Sequence, residues 1–228
     1  MTGNTRKRNR SSAAILVCVL AAGSLCTGSA FAQPTPGDCL SADEATLVQL
    51  VNDYRQAEGL APLEVTVSLT TVAQWHVWDL DVNQPQGGEC NLHSWSDGPI
   101  WTPVCYTADH ANASGMWDKP REITANAYSG NGFEIAYWTS GTATPEAALS
   151  GWQNSPGHND VILNEGIWQG YDPWPAMGVG MRAGYAVIWF GNTSDPQGTI
   201  NECGSTPSSL TSWTAIKSFY RTGGSDKN

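Results

Sequence analysis

The segment Gly151-Trp152-Gln153-Asn154-Ser155-Pro156-Gly157-His158-Asn159-Asp160-Val161-Ile162-Leu163 is the most informative stretch of this chain. Proline and glycine interrupt helices, so a helix carrying Trp152 is expected to end at Ser155-Pro156-Gly157. His158 then follows the break on a rigid turn and points outward, as a ligand would. The plainer reading has the same imidazole capping the helix by bonding a carbonyl. Just upstream, Thr144-Pro145-Glu146 supplies an N-cap, a first-turn proline and a first-turn acid, which opens that helix.

Downstream, Met177-Gly178-Val179-Gly180-Met181 and Gly184 to Phe190 read as two antiparallel strands joined by a tight turn at Arg182-Ala183. Upstream, Phe133 to Trp138 reads as another strand. The chain before it carries two helices. The first opens at Ser41-Ala42-Asp43-Glu44, which has capping-box spacing, continues through Leu47, Leu50, Val51 and Tyr54, and stops at Gly59. The second begins after Ser68 and places Val72, Ala73, His76 and Leu80 on one face. Between Pro85 and about Gly130 no period is visible, and the composition predicts a long, disulfide-pinned loop region. Helices and strands alternate without a β-α-β rhythm, so an α+β fold or a three-layer sandwich is expected rather than a doubly wound sheet.

The N-terminus has the pattern of an export signal. Arg6-Lys7-Arg8-Asn9-Arg10 precedes an apolar run from Ala13 to about Leu25, and Ala30-Phe31-Ala32 offers a cleavage site before Gln33. The apolar run is shorter than the ~20 residues of a spanning helix. Four of the 11 basic residues and none of the 21 acids fall in residues 1–32, so the remaining 196 residues carry a formal charge of −14. That acidity excludes nucleic acid and anionic membrane as electrostatic partners. Cys39, Cys90, Cys105 and Cys203 remain after cleavage, an even number in an exported chain. Of their three possible pairings, Cys90–Cys105, closing a short loop, and Cys39–Cys203, tying the ends together, are favoured. No C-x-x-C pair supports the rival zinc-thiolate reading. The chain is expected to divide into a signal (1–32), a flexible lead-in (33–40), a folded domain (41–204) and a polar tail (205–228) with an apolar patch from Leu210 to Tyr220.

The order of these segments resembles the CAP superfamily, the cysteine-rich secretory, antigen 5 and pathogenesis-related 1 group. The N-x-x-R helix is matched by Asn52-Asp53-Tyr54-Arg55, and the Gly and Pro-Leu turn by Gly59-Leu60-Ala61-Pro62-Leu63. Ala73 to His76 matches the second helix, and His93 in Asn91-Leu92-His93-Ser94 matches the loop histidine. The Ser155-Pro156-Gly157-His158 segment resembles the bacterial form of the family's signature, and the final hairpin fits. The resemblance spans roughly residues 45–192. It implies an α-β-α sandwich around a mostly antiparallel sheet, secretion, and a shallow cleft with two histidines and nearby glutamates. In several members those histidines bind a divalent cation such as zinc. Others are associated with sterols, fatty acids or glycans, and enzymatic activity is claimed only rarely.

Carried over residue by residue, the resemblance assigns His93, His158 and Glu134 as the candidate metal ligands. Taken alone, His93 reads as a surface histidine, His76 as a core histidine and His110 as an exposed one. Where the family writes Gly-Glu-Asn-Ile, this chain has Gly132-Phe133-Glu134-Ile135, which puts Glu134 one position late. A one-residue shift turns a strand side chain to the other face, so either a bulge returns Glu134 to the cleft or the site has lost its first carboxylate. An acid between apolar neighbours is costly without a partner, which favours a cleft role. The family's second glutamate is replaced by Ser155. Trp95, Trp101 and Trp138 are candidate walls for a small apolar ligand or cell-surface component. The rival readings are a zinc-dependent extracellular hydrolase with Glu134 as general base, and an adhesive module without a ligand. Neither H-E-x-x-H nor G-x-S-x-G is present to support an enzyme.

Overall fold

The computed structural model describes residues 35–204. The expected signal and the polar tail lie outside the described residues. The elements run α1 (Ala42–Ala57), α2 (Val67–Val82), α3 (Ala113–Trp117), α4 (Lys119–Ile123), β1 (Gly132–Trp138), α5 (Pro145–Gln153), α6 (Pro156–Leu163), a 3-10 turn (Gly166–Tyr171), β2 (Ala176–Arg182) and β3 (Tyr185–Gly191). The three strands form one antiparallel sheet in the order β1-β3-β2.

Alternation along the strands divides the core in two. Phe133 and Ile135 of β1, Met177 and Val179 of β2, and Ala186, Ile188 and Phe190 of β3 face a layer built from α1, α5 and α6. Ala136, Ala176, Tyr185, Val187 and Trp189 face the other layer, built from α2 with α3, α4 and the long loop. The result is a three-layer α-β-α sandwich, as expected. The 85–130 region contributes more than loop. It supplies α3, α4 and the buried side chains Trp95, Trp101, Tyr106, Met116 and Ile123 to the second core.

Local signals explain most boundaries. Ser41 and Glu44 form the expected capping box, and Gly59 follows the helix at a φ of 83°. Thr144 caps α5 by accepting from the Ala147 amide, with Pro145 in the first turn. Two expectations shift. The helix after Thr144 does end at Gln153, but Ser155-Pro156 starts a new helix rather than a turn, so His158 is the third residue of α6. Proline is well accommodated in a first turn, where its missing N–H has no intrahelical partner to lose. α2 starts at Val67, slightly before Ser68, because the distant Asp195 accepts from both the Ser68 amide and its hydroxyl at 2.8 Å.

Both favoured disulfides are present, Cys39–Cys203 and Cys90–Cys105. Cys39 and Cys203 close the ends together, beside a short bridge between Leu40 and Glu202. Among the described residues, no helix is long and apolar enough to cross a membrane.

The glycines of the Met177-Gly178-Val179-Gly180 strand are fixed by close packing. A Cβ on Gly178 would lie 2.0 Å from the Leu69 carbonyl carbon, and one on Gly180 would lie 2.4 Å from the Ala73 oxygen. The backbone of α2 therefore rests directly on the backbone of β2. A methyl group at position 178 can be relieved only by lifting the helix, since backbone atoms cannot rotate aside. Gly178→Ala is expected to cost at least about 2 kcal/mol, read as a lowered urea midpoint with an unchanged m-value. A loss below about 0.5 kcal/mol would show that α2 does not seat on the strand in this way.

Candidate functional site

Three segments converge at the β1 side of the sheet: the 90–106 loop, β1 itself and the start of α6. The loop is fixed before any side chain is considered. Cys90 is bonded to Cys105, the Asn91 amide donates to the Tyr106 carbonyl at 2.9 Å, and Trp95 pairs with Val104. Within it, the His93 amide donates to Asn91 Oδ1 at 3.0 Å, and the buried Ser94 accepts the Tyr106 amide on its hydroxyl at 2.9 Å. The imidazole of His93 is thereby held over β1.

Glu134 meets it there. One carboxylate oxygen, Oε2, accepts the hydrogen bond of His93 Nδ1, with 20% of the histidine side chain and none of the glutamate side chain exposed. β1 pairs with β3 in unbroken register from Gly132 to Trp138, so no bulge is needed to bring Glu134 here. Phe133 points to the opposite face, into the aromatic group of Trp117, Trp168, Tyr171 and Trp174. Neither alternative, a bulge or a lost carboxylate, is found: the glutamate reaches the cleft because the loop carrying His93 lies on the α2 face of the sheet, the side to which position 134 naturally points.

His158 completes the group from α6. Burial lowers its basicity, the neighbouring His93 lowers it further, and Glu134 opposes both. The lowered pKa favours the neutral form that binds metals. For His93 burial also works against the charge, but the adjacent Glu134 outweighs it and raises the pKa. Neither His93 Nε2 nor the His158 ring makes a hydrogen bond to the described residues, and none of these nitrogens is a buried orphan. They are open to solvent.

The cleft can therefore present two imidazoles with a carboxylate behind one of them. Among the described residues no group of three or more His, Cys, Asp or Glu is arranged to hold an ion. Glu134 serves as the partner of His93. Tyr106 lies beside it, edge-on to the His93 ring at 5.1 Å, and its hydroxyl pairs with His110 Nδ1 at 2.9 Å. His110 is exposed, as expected, and takes a positive φ of 59°.

The three tryptophans expected to wall a pocket do not do so. Trp95 and Trp101 are only 2% and 3% exposed, and pack against each other at 5.3 Å in the second core. Bulky indoles between Gly- and Pro-rich turns are drawn inward here because they fill the space between α2 and the long loop. Trp138, 53% exposed, sits at the far end of β1 from Gly132. The sequence reading also missed Tyr106, Ser94 and the contact made by His76. For His76 the available signal was an imidazole inside an otherwise apolar helix face.

The model of the Cysteine-rich secretory protein family, CAP, matches residues 48–167, and the chain belongs to that family. No curated protein matches the chain. Similar solved structures include an extracellular protein containing an SCP domain from Bacillus anthracis str. Ames, at 19% identity, TM-score 0.44, covering 65% of this chain and 39% of that one. A cysteine-rich secretory protein from Staphylococcus aureus subsp. aureus Mu50 gives 17%, 0.42, 66% and 39%. An outer surface protein from Borrelia burgdorferi gives 18%, 0.43, 65% and 91%. The chain spans about two fifths of the length of the first two.

The raised pKa of His93 has a defined consequence for stability. A histidine whose folded pKa lies above its unfolded value stabilises the fold fully below the unfolded value, about 6.5. That contribution disappears as pH rises through the folded value. Glu134→Gln removes the charge but keeps an acceptor. The stability difference between the unmodified protein and Glu134→Gln, from urea unfolding, is expected to be largest below the ordinary imidazole pKa and to shrink above the raised one. A difference independent of pH would contradict the ion-paired geometry.

Proposed function

We propose that this chain is an exported CAP-family binding domain whose cleft offers His93 and His158 to a divalent cation, zinc in particular. The observation that carries the reading is the Glu134–His93 hydrogen bond. A carboxylate on Nδ1 fixes the imidazole tautomer, orients the ring and makes Nε2 the metal-binding nitrogen. His158, neutral and open to solvent, supplies the second donor. When bound, zinc would offer its remaining coordination positions to an oxygen or nitrogen donor from water or a ligand. Export is supported by the signal-like N-terminus and by the two disulfides, which persist outside the cytosol.

A binding role fits this geometry better than hydrolysis. A general base must reach the water it deprotonates, and Glu134 is wholly buried with one oxygen committed to His93. The negatively charged surface of the chain further favours cations over anions at the cleft.

Calorimetric titration with zinc near neutral pH provides the test. The unmodified protein is expected to bind one equivalent, and a His93→Ala, His158→Ala double variant none. Glu134→Gln should weaken binding by roughly 10- to 100-fold without abolishing it, as for a group that orients a ligand. No uptake by the unmodified protein would overturn the cation reading.

A further inference from the structure

His76 lies on the buried face of α2 with no exposed surface. A phenylalanine or leucine would fill that space without the cost of burying ring nitrogens, yet both nitrogens are directed at the cleft machinery. Nε2 lies 3.3 Å from the carbonyl oxygen of Ser94, the residue that follows His93. Nδ1 lies 3.9 Å from Glu134 Oε1, the carboxylate oxygen that His93 does not use. The plane of the ring is held between two tryptophans. It stacks on Trp95 at 4.3 Å with planes 10° apart, and meets Trp189 edge-on at 5.7 Å.

The proton positions follow from the partners. A carbonyl oxygen only accepts, so Nε2 carries the hydrogen. With the hydrogen on Nε2, Nδ1 of the neutral ring carries a lone pair. That lone pair faces Glu134 Oε1, and neither atom has another hydrogen-bond partner. In this tautomer His76 gives Oε1 no donor. The carboxylate is left with His93 as its hydrogen-bond donor among the described residues.

We infer that His76 is a positioning residue of the cleft: it anchors the peptide that follows His93 and directs the Glu134 carboxylate onto the His93 ring. The inference concerns the Glu134–His93 pair and stands apart from whether the cleft takes zinc.

The test is nitrogen NMR of histidine-labelled protein, comparing the unmodified chain with His76→Phe and His76→Gln. In the unmodified chain, His76 is expected as the Nε2–H tautomer and His93 as the Nδ1–H tautomer. An Nδ1–H tautomer at His76 would overturn the inference without any variant. Phenylalanine keeps the stacking on Trp95 but removes both nitrogens, so the Nδ1–H preference of His93 should fall several-fold. Glutamine can still donate to the Ser94 carbonyl and should restore part of it. A His76→Phe protein with native near-ultraviolet circular dichroism and an unchanged His93 spectrum would show that His76 is only a core filler. Zinc affinity, read in parallel, should fall about 10-fold in His76→Phe. If the unmodified protein binds no zinc, the cation reading fails while the tautomer measurement still decides the role of His76.

Discussion

Glu134 lies under the cleft with none of its side chain exposed, and a carboxylate taken out of water costs several kcal/mol unless a partner repays it. That requirement organises the surrounding structure. His93 must arrive at the right height above β1, so its loop is held by the Cys90–Cys105 bond, by Asn91 and by the Ser94–Tyr106 contact. The loop in turn needs a firm base, which the packed rings of Trp95, Trp101 and Trp189 provide around His76. The polar residues buried beneath these rings have partners of their own. Asp79 accepts from the Ser96 amide at 2.8 Å, tying the loop to α2. Lys119, also without exposed side chain, bonds the Thr102 carbonyl and Glu122 and lies 5.7 Å over Trp95.

The other half of the sandwich is secured differently. Arg55 is buried at the end of α1, bonding the Ala61 carbonyl at 3.0 Å and Asn164 Oδ1 at 2.9 Å, the latter just past the end of α6. The N-x-x-R spacing on the first helix thus fixes the helix that carries His158. Glu44 performs a similar task at the opposite end of α1, joining its own cap to Gln74 of α2 and to the Met181 amide of β2. The two histidines of the cleft sit in different layers, and these buried polar contacts set their separation.

The sequence made α1, α2, α5, the strands and the disulfides legible because each has a local cause: a capping box, an apolar helical face, a proline in a first turn, an alternating strand, or an even set of cysteines in an exported chain. α3, α4 and α6, in glycine- and proline-rich sequence, had no such signal. The site was legible only in part. His93 and His158 stand in recognisable motifs, but Glu134 appeared one position out of place because strand parity was judged against a family pattern without the position of the loop above it. Trp95 and Trp101 were misplaced for a related reason. A segment rich in glycine and proline reads as surface, and nothing local shows that it folds back to form a core. Periodicity places His76 in the core, but says nothing of what its ring nitrogens meet on the α2 face of β1.

A buried carboxylate holds the His93 imidazole through Nδ1. The most direct measurement is an NMR pH titration of the His93 ring in the unmodified protein and in Glu134→Gln. The account predicts a His93 pKa above the ordinary imidazole value in the first protein and a clearly lower one in the second. A His93 that titrates at or below the ordinary value, and is indifferent to the change at position 134, would contradict it.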